Sequence, residues 1–188
     1  MVSETNAALS LLLGRRSCHA LSEPAPEGAA LDRIFQAALR VPDFQRLRPF
    51  RFIVAVGEGR DRLGQMMQRA AVAADKPDDI VERAPRMPLR APMVITVAAT
   101  PKPSTVVPVF DQQLAAGCTV LAMQLAAQAQ GFGGVWRSGW LMYDRGFHSD
   151  LGLAEGDQIV GFLYLGTPNH PPAASAKSDD PGDFVHWL

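Results

Sequence analysis

Three runs, Phe50 to Val56, Met93 to Ala99 and Gln158 to Leu165, are β-rich and almost unbroken by polar side chains. Each reads as a buried strand. A strand with no polar face to offer water has to be covered on both sides. Between the runs lie stretches of helical character, so helices interleave with few strands. That pattern gives a three-layer fold, a sheet flanked by helices, and by itself it leaves α/β and α+β open.

The helical stretches have recognisable ends. A short helix is predicted over Ser3 to Leu13, with Ser3 as N-cap, Leu9, Leu12 and Leu13 on one side, and Gly14 at its C-terminal cap. Glu23-Pro24-Ala25-Pro26 cannot continue a helix, because proline lacks the N–H. A second helix runs from Ala29 to Leu39 on the stripe Leu31, Ile34, Phe35 and Ala38, and a third from Arg60 to Ala74. Residues Lys76 to Arg90 are proline-rich and read as an irregular, partly helical connection. Phe110 to Gln130 is the longest helical stretch, and its small residues permit close packing. Val135 to Ser138 is a short strand candidate, and a small helix covers Asp144 to Leu151. A polar tail closes on the apolar group Phe184, Val185, Trp187 and Leu188, which should dock on this subunit or on a partner.

Composition narrows the function classes. The chain has 188 residues, with 18 basic and 19 acidic side chains and a net charge of -1, so neither a net-basic nucleic-acid footprint nor an acidic tail is present. One compact domain over residues 1–188 is expected. Two cysteines, Cys18 and Cys118, cannot make a disulfide scaffold. The weakly polar run Leu114 to Ala129 holds Gln124 and Gln128 and falls short of the roughly 20 apolar residues a membrane span needs. The N-terminus lacks a secretory pattern. The expectation is a cytoplasmic protein with no nucleic-acid and no membrane partner.

Common cofactor signatures are missing. Arg62 stands where a dinucleotide-binding turn after Gly57 and Gly59 needs glycine. His19, His148, His170 and His186 share no metal-ligand spacing and read as surface or loop residues, so no metal site is expected. What remains is arginine beside loops. Arg15-Arg16-Ser17 follows a helix C-terminus, where cations offset the helix dipole; two guanidinium forks and a hydroxyl also suit a phosphate. Arg40, Arg46, Arg48 and Arg51 crowd a proline-bounded loop, and Trp136-Arg137-Ser138 follows three glycines, the Trp being either core or cofactor wall.

Taken in order, these pieces resemble the nitroreductase family, in its short YdjA-like branch. The run is Arg15-Arg16-Ser17, then Leu21 with Glu23-Pro24-Ala25-Pro26, then Ala37-Ala38-Leu39-Arg40 with Pro42-Asp43, then Arg48-Pro49-Phe50-Arg51-Phe52. Arg90-Ala91-Pro92, Ala116-Gly117-Cys118, Gln130 to Gly139 and Val160 to Pro168 follow in the same order. The resemblance implies an α+β three-layer sandwich with a mostly antiparallel central sheet. It implies an FMN-dependent oxidoreductase that passes electrons from NAD(P)H through flavin N5 to a nitro-aromatic, quinone-like or enone-like acceptor by a ping-pong scheme. A homodimer with flavin sites at its interface comes with it. The family's phosphate element falls on Arg15, Arg16 and Ser17, its cross-subunit contacts on Arg40 and Phe44, and its ring-lining element on Trp136, Arg137 and Ser138. No protein side chain is assigned a catalytic role, because the chemistry lies at N5. This chain departs from the family at Ala20, Phe44 and Phe50, where an arginine, often a histidine, and a tryptophan are usual. The alternative is a flavin-binding or sensory dimer without significant turnover.

Overall fold

The computed structural model describes residues 6–170 and 180–188. Its helices are α1 (Ala7–Leu13), α2 (Gly28–Ala38), α3 (Glu58–Ala73), α4 (Asp78–Arg83), α5 (Val109–Ala129) and α6 (Arg145–Asp150). Its strands are β1 (Leu21–Ser22), β2 (Phe50–Val56), β3 (Met93–Ala99), β4 (Gly133–Arg137) and β5 (Gln158–Pro168). Every strand pair is antiparallel: β2 with β3, β3 with β5, and β5 with both β4 and β1. The architecture is the expected α+β sandwich.

The alternation along β3 builds the three layers. Met93, Ile95 and Val97 face a core completed by Ile34 of α2 and by Val120 and Met123 of α5. Val94 and Ala98 face the other core, with Leu63 and Met67 of α3 and Phe147 of α6. Side chains two apart point the same way on a strand, so an all-apolar strand feeds two cores at once.

Two sequence expectations need correction. β2 has its predicted bounds but is not a buried strand: it pairs only with β3, and Val56 is 47% exposed. An apolar run cannot by itself distinguish a central strand from an edge strand. α1 begins at Ala7, because Asn6 takes the cap by accepting from Leu9 N at 2.9 Å; Ser3 lies outside the described residues. The α1 stripe Leu9, Leu12 and Leu13 is exposed. β1 has no counterpart among the expected elements, being too short to leave a periodicity.

α5 carries apolar side chains all round. One side packs on the sheet, while Phe110 and Leu114 on another are 66% and 54% exposed. No helix among the described residues is long and apolar enough to cross a membrane. Gly64 sets how closely α3 approaches the turn at Ala84–Arg86, since a Cβ there would meet the backbone carbonyl of Pro85. Backbone cannot swing aside as a side-chain tip can. Gly64→Ala should therefore lower unfolding stability by about 1–3 kcal/mol, read as a fall in the urea midpoint at unchanged slope.

Candidate active site

The edge of β4 lines a cleft of about 320 Å³. That volume is at the lower end of small-molecule sites, which span about 300–1,000 Å³. Trp136, Arg137 and Ser138 line it together. Trp136 is 40% exposed, and its indole lies on the α5 side of β4, opposite Leu163 and near Gly117, while Arg137 points to the other side with Tyr164. The Trp136 Nε1–H donates to Val160 O at 3.2 Å, and the indole lies over Gly161, where any Cβ would collide with the ring. The strand pairing explains this placement: Trp136 sits opposite Leu163 in the β4–β5 register, and the glycine two residues earlier leaves room for a bicyclic ring.

Arg137 extends over the Tyr164 ring, its Cζ 5.3 Å from the centroid, and its Nη2 lies 3.3 Å from His19 Nδ1. A guanidinium can only donate, so that contact requires Nδ1 to accept. Its Nε is buried without a hydrogen-bond partner, a donor awaiting an acceptor. The lining holds Arg90, Arg137 and His19 but no carboxylate. Phe162, Tyr164 and Trp140 supply aromatic surface. A positively charged, aromatic-walled cleft suits a flat ligand that carries negative charge.

The approach of Arg15-Arg16-Ser17 is held by α5. Gln124 Nε2 donates to Gly134 O at 3.0 Å and to Arg16 O at 3.4 Å, and Gln128 Nε2 donates to Gly14 O at 3.2 Å. Cys18 N donates to Gly134 O at 2.9 Å, which lays this segment along β4. Arg16 borders a second concavity of about 180 Å³ with Cys18, Gln124 and Gln128, while His19 enters the main cleft. Arg15 is half-buried and Ser17 exposed beside them.

Arg40 and Phe44 stand elsewhere. Arg40 borders a hollow with Arg46 and Arg48. Phe44, 68% exposed, lies beside Leu114 and Cys118 on the outward face of α5. Within one chain the structure brings Trp136, Arg137 and Ser138 into one cleft and leaves Arg40 and Phe44 outside it.

Sequence reasoning misses His19, Tyr164 and the glutamine pair. Gln124 and Gln128, one helical turn apart in the apolar second half of α5, are the available signal. Tyr164 leaves a weaker one, two residues from Phe162 on a strand. His148 needs correction: it is buried, with Nε2 2.9 Å from Met142 O and Nδ1 3.0 Å from Arg145, rather than a surface or loop residue. Fastening α6 is a structural task.

With this geometry in hand, the nitroreductase family model matches residues 12–167. The chain belongs to the nitroreductase family. It is 46% identical over 181 residues to the Escherichia coli (strain K12) protein named "Putative NAD(P)H nitroreductase YdjA", covering 96% of this chain and 99% of that one. A Haemophilus influenzae relative named as an NAD(P)H nitroreductase in the same way is 38% identical over 182 residues, again covering 96% and 99%. Among solved structures, the nitroreductase-like family protein from Bacillus cereus superposes with a TM-score of 0.81 at 25% identity, covering 100% of this chain and 98% of that one. A Bacteroides fragilis nitroreductase with bound FMN has the same fold, at a TM-score of 0.74 and 22% identity, covering 98% of this chain and all of that one.

Burial pushes the Tyr164 phenol up from its ordinary value of 10.0, against the opposing pull of Arg137 and then Arg90. The neutral phenol is the form the fold accepts. Its contribution to stability is complete below pH 10.0 and is lost as the pH rises through the higher folded value. Tyr164→Phe should therefore flatten the loss of stability above pH 10.0, checked by urea midpoints on either side of that value.

Proposed function

We propose that this chain is an FMN-dependent oxidoreductase that takes electrons from NAD(P)H and delivers them to a nitro-aromatic, quinone-like or enone-like acceptor. Family membership and the name of the E. coli relative support the activity class. The observation that carries the reading is the aromatic, carboxylate-free cleft at β4, lined by Arg90 and Arg137. The donor set fits FMN: guanidinium forks and a hydroxyl for a phosphate, indole and phenyl surface for a ring.

When bound, FMN supplies hydride acceptance at N5 and onward transfer to the acceptor, the two substrates using one pocket in turn. Arg15, Arg16 and Ser17 would hold the phosphate. They follow the C-terminus of α1, whose dipole repels an anion, so the arginines must supply the attraction. Gln124 and Gln128 keep that backbone in place without touching the ligand. Trp136, Arg137 and Ser138 would line the ring as one element, Arg137 and Ser138 offering donors to its polar edge. Tyr164, held neutral by burial, adds no charge to compete with Arg137. No side chain is needed as an acid or base for hydride transfer to N5.

Arg40 and Phe44 act across a homodimer in this reading. The exposed Phe110 and Leu114 face of α5 is the surface a second copy would cover, and Phe44 lies at its border. A helix that is apolar all round calls for burial all round.

The tests are spectroscopic. The protein loaded with FMN should be yellow, bleach with NADPH or NADH under anaerobic conditions, and recover its colour on adding a quinone. A yellow protein that neither donor bleaches would instead be the flavin-binding or sensory dimer. Replacing both arginines (Arg15→Ala with Arg16→Ala) should weaken FMN binding roughly a hundredfold or more, at about 1.5–3 kcal/mol per charged hydrogen bond. Unchanged affinity would remove the phosphate assignment. Leu114→Arg should convert the dimer to a monomer in sedimentation and lower flavin occupancy with it; full occupancy in a monomer would exclude the cross-subunit roles of Arg40 and Phe44.

A further inference from the structure

We propose that Arg46 and Arg48 form a phosphomonoester site, and that it takes the 2′-phosphate of NADPH. The identity of the occupant rests on the oxidoreductase reading; the affinity for the anion does not.

The loop between α2 and β2 closes on a hollow of about 180 Å³ bordered by Leu39, Arg40, Val41, Asp43, Arg46 and Arg48. Asp43 is its only carboxylate, and both oxygens are taken by backbone: Oδ1 accepts from Leu47 N at 3.2 Å and Oδ2 from Arg48 N at 2.9 Å. Arg48 Nη1 donates to Leu39 O at 2.8 Å, which draws that side chain back across the hollow. The ion pairs among the described residues join Glu58 to Arg62, Asp79 to Arg83 and Asp150 to Arg69, and none involves these three arginines. Arg46 and Arg48 therefore border the hollow beside one carboxylate that is already engaged, with Arg40 also among its neighbours.

The backbone is held in an unusual state to achieve this. Gln45, Arg46 and Arg48 have φ of 62°, 53° and 51°, and none is glycine. Left-handed backbone at non-glycine residues persists only where the surroundings impose it, and such positions gather at ligand sites. The imposing contacts are those of Asp43. The result is a concave turn whose arginines leave an excess of positive charge over Asp43.

A phosphomonoester matches that excess. It carries about -1.5 to -2 charge at neutral pH and three acceptor oxygens, which guanidinium forks take in pairs. NADPH bears such a group and NADH does not. The position agrees: Phe44 of the same loop is the residue proposed to reach the neighbouring flavin, so a nicotinamide donor arriving there passes this turn.

The test titrates FMN-loaded protein by calorimetry with adenosine 2′,5′-bisphosphate and with adenosine 5′-monophosphate. The variants are Arg46→Ala and Arg46→Lys, because the Arg46 side chain holds no other part of the loop. The wild-type protein should prefer the bisphosphate by roughly tenfold or more. Arg46→Ala should lose that preference, Arg46→Lys should retain part of it, and added salt should reduce it in the wild type. In steady state the ratio of KM for NADPH to KM for NADH should rise roughly tenfold in Arg46→Ala, with kcat little changed. Equal binding of the two nucleotides by wild type, or an undiminished preference in Arg46→Ala, would overturn the site. An equal rise in both KM values would place the arginines on the diphosphate, and weakened FMN binding with an unchanged KM ratio would place them on the flavin; either result overturns the 2′-phosphate assignment. If the bisphosphate preference is found but neither donor reduces the flavin, the anion site stands and the oxidoreductase reading fails.

Discussion

The hydrogen-bonded edges of β5 organise the molecule. One edge carries β3, and through it the two-faced core; the other carries β4 and then β1. Each part of the candidate site depends on this strand. Trp136 and Arg137 are aimed by pairing with it, Tyr164 and Phe162 form part of the cleft lining from it, and Gly161 leaves space for the indole. A register slip of one residue would exchange the two faces of β5 and carry Tyr164 to the α5 side.

A second fastening is polar. Gln124 and Gln128 cross from α5 to carbonyls of the segment around Arg15-Arg16-Ser17 and of β4. Irregular backbone near a core needs partners for its carbonyls, and helix amides meet that need at fixed spacing. The same two side chains thus satisfy the backbone and position the charged approach to the cleft. α5 is the common base of the arginine segment, the β4 wall and the outward apolar face.

Much of the fold is legible in the amino-acid sequence. Met93–Ala99 has its predicted bounds because four consecutive β-branched residues, Val94 to Val97, lie at the centre of an apolar run in the middle of the sheet. The expected ends of α2 and α5 lie within a residue of the observed ones, since their stripes and flanking proline or glycine mark them. Trp136, Arg137 and Ser138 meet in one cleft as their adjacency suggests. β2 is harder, because apolar content reports burial in an assembly as well as in a chain, and an edge strand that borders other surfaces reads like a central one. His148 escapes sequence reasoning because an isolated histidine carries no periodic signal of burial.

The sequence by itself determined the layers, because they follow from local apolar runs and stripes, and its motifs in fixed order carried the family resemblance, which in turn implied the antiparallel α+β class. Only the tertiary structure decided that the Arg137 Nε is buried without a partner, that Gln124 and Gln128 hold the arginine segment, and that Arg40, Arg46 and Arg48 surround a hollow apart from the main cleft. Several of these meetings join residues more than a hundred positions apart, such as Gln128 with Gly14 and Arg137 with His19. Chain spacing carries no distance information at that separation, and sheet register and helix docking supply it.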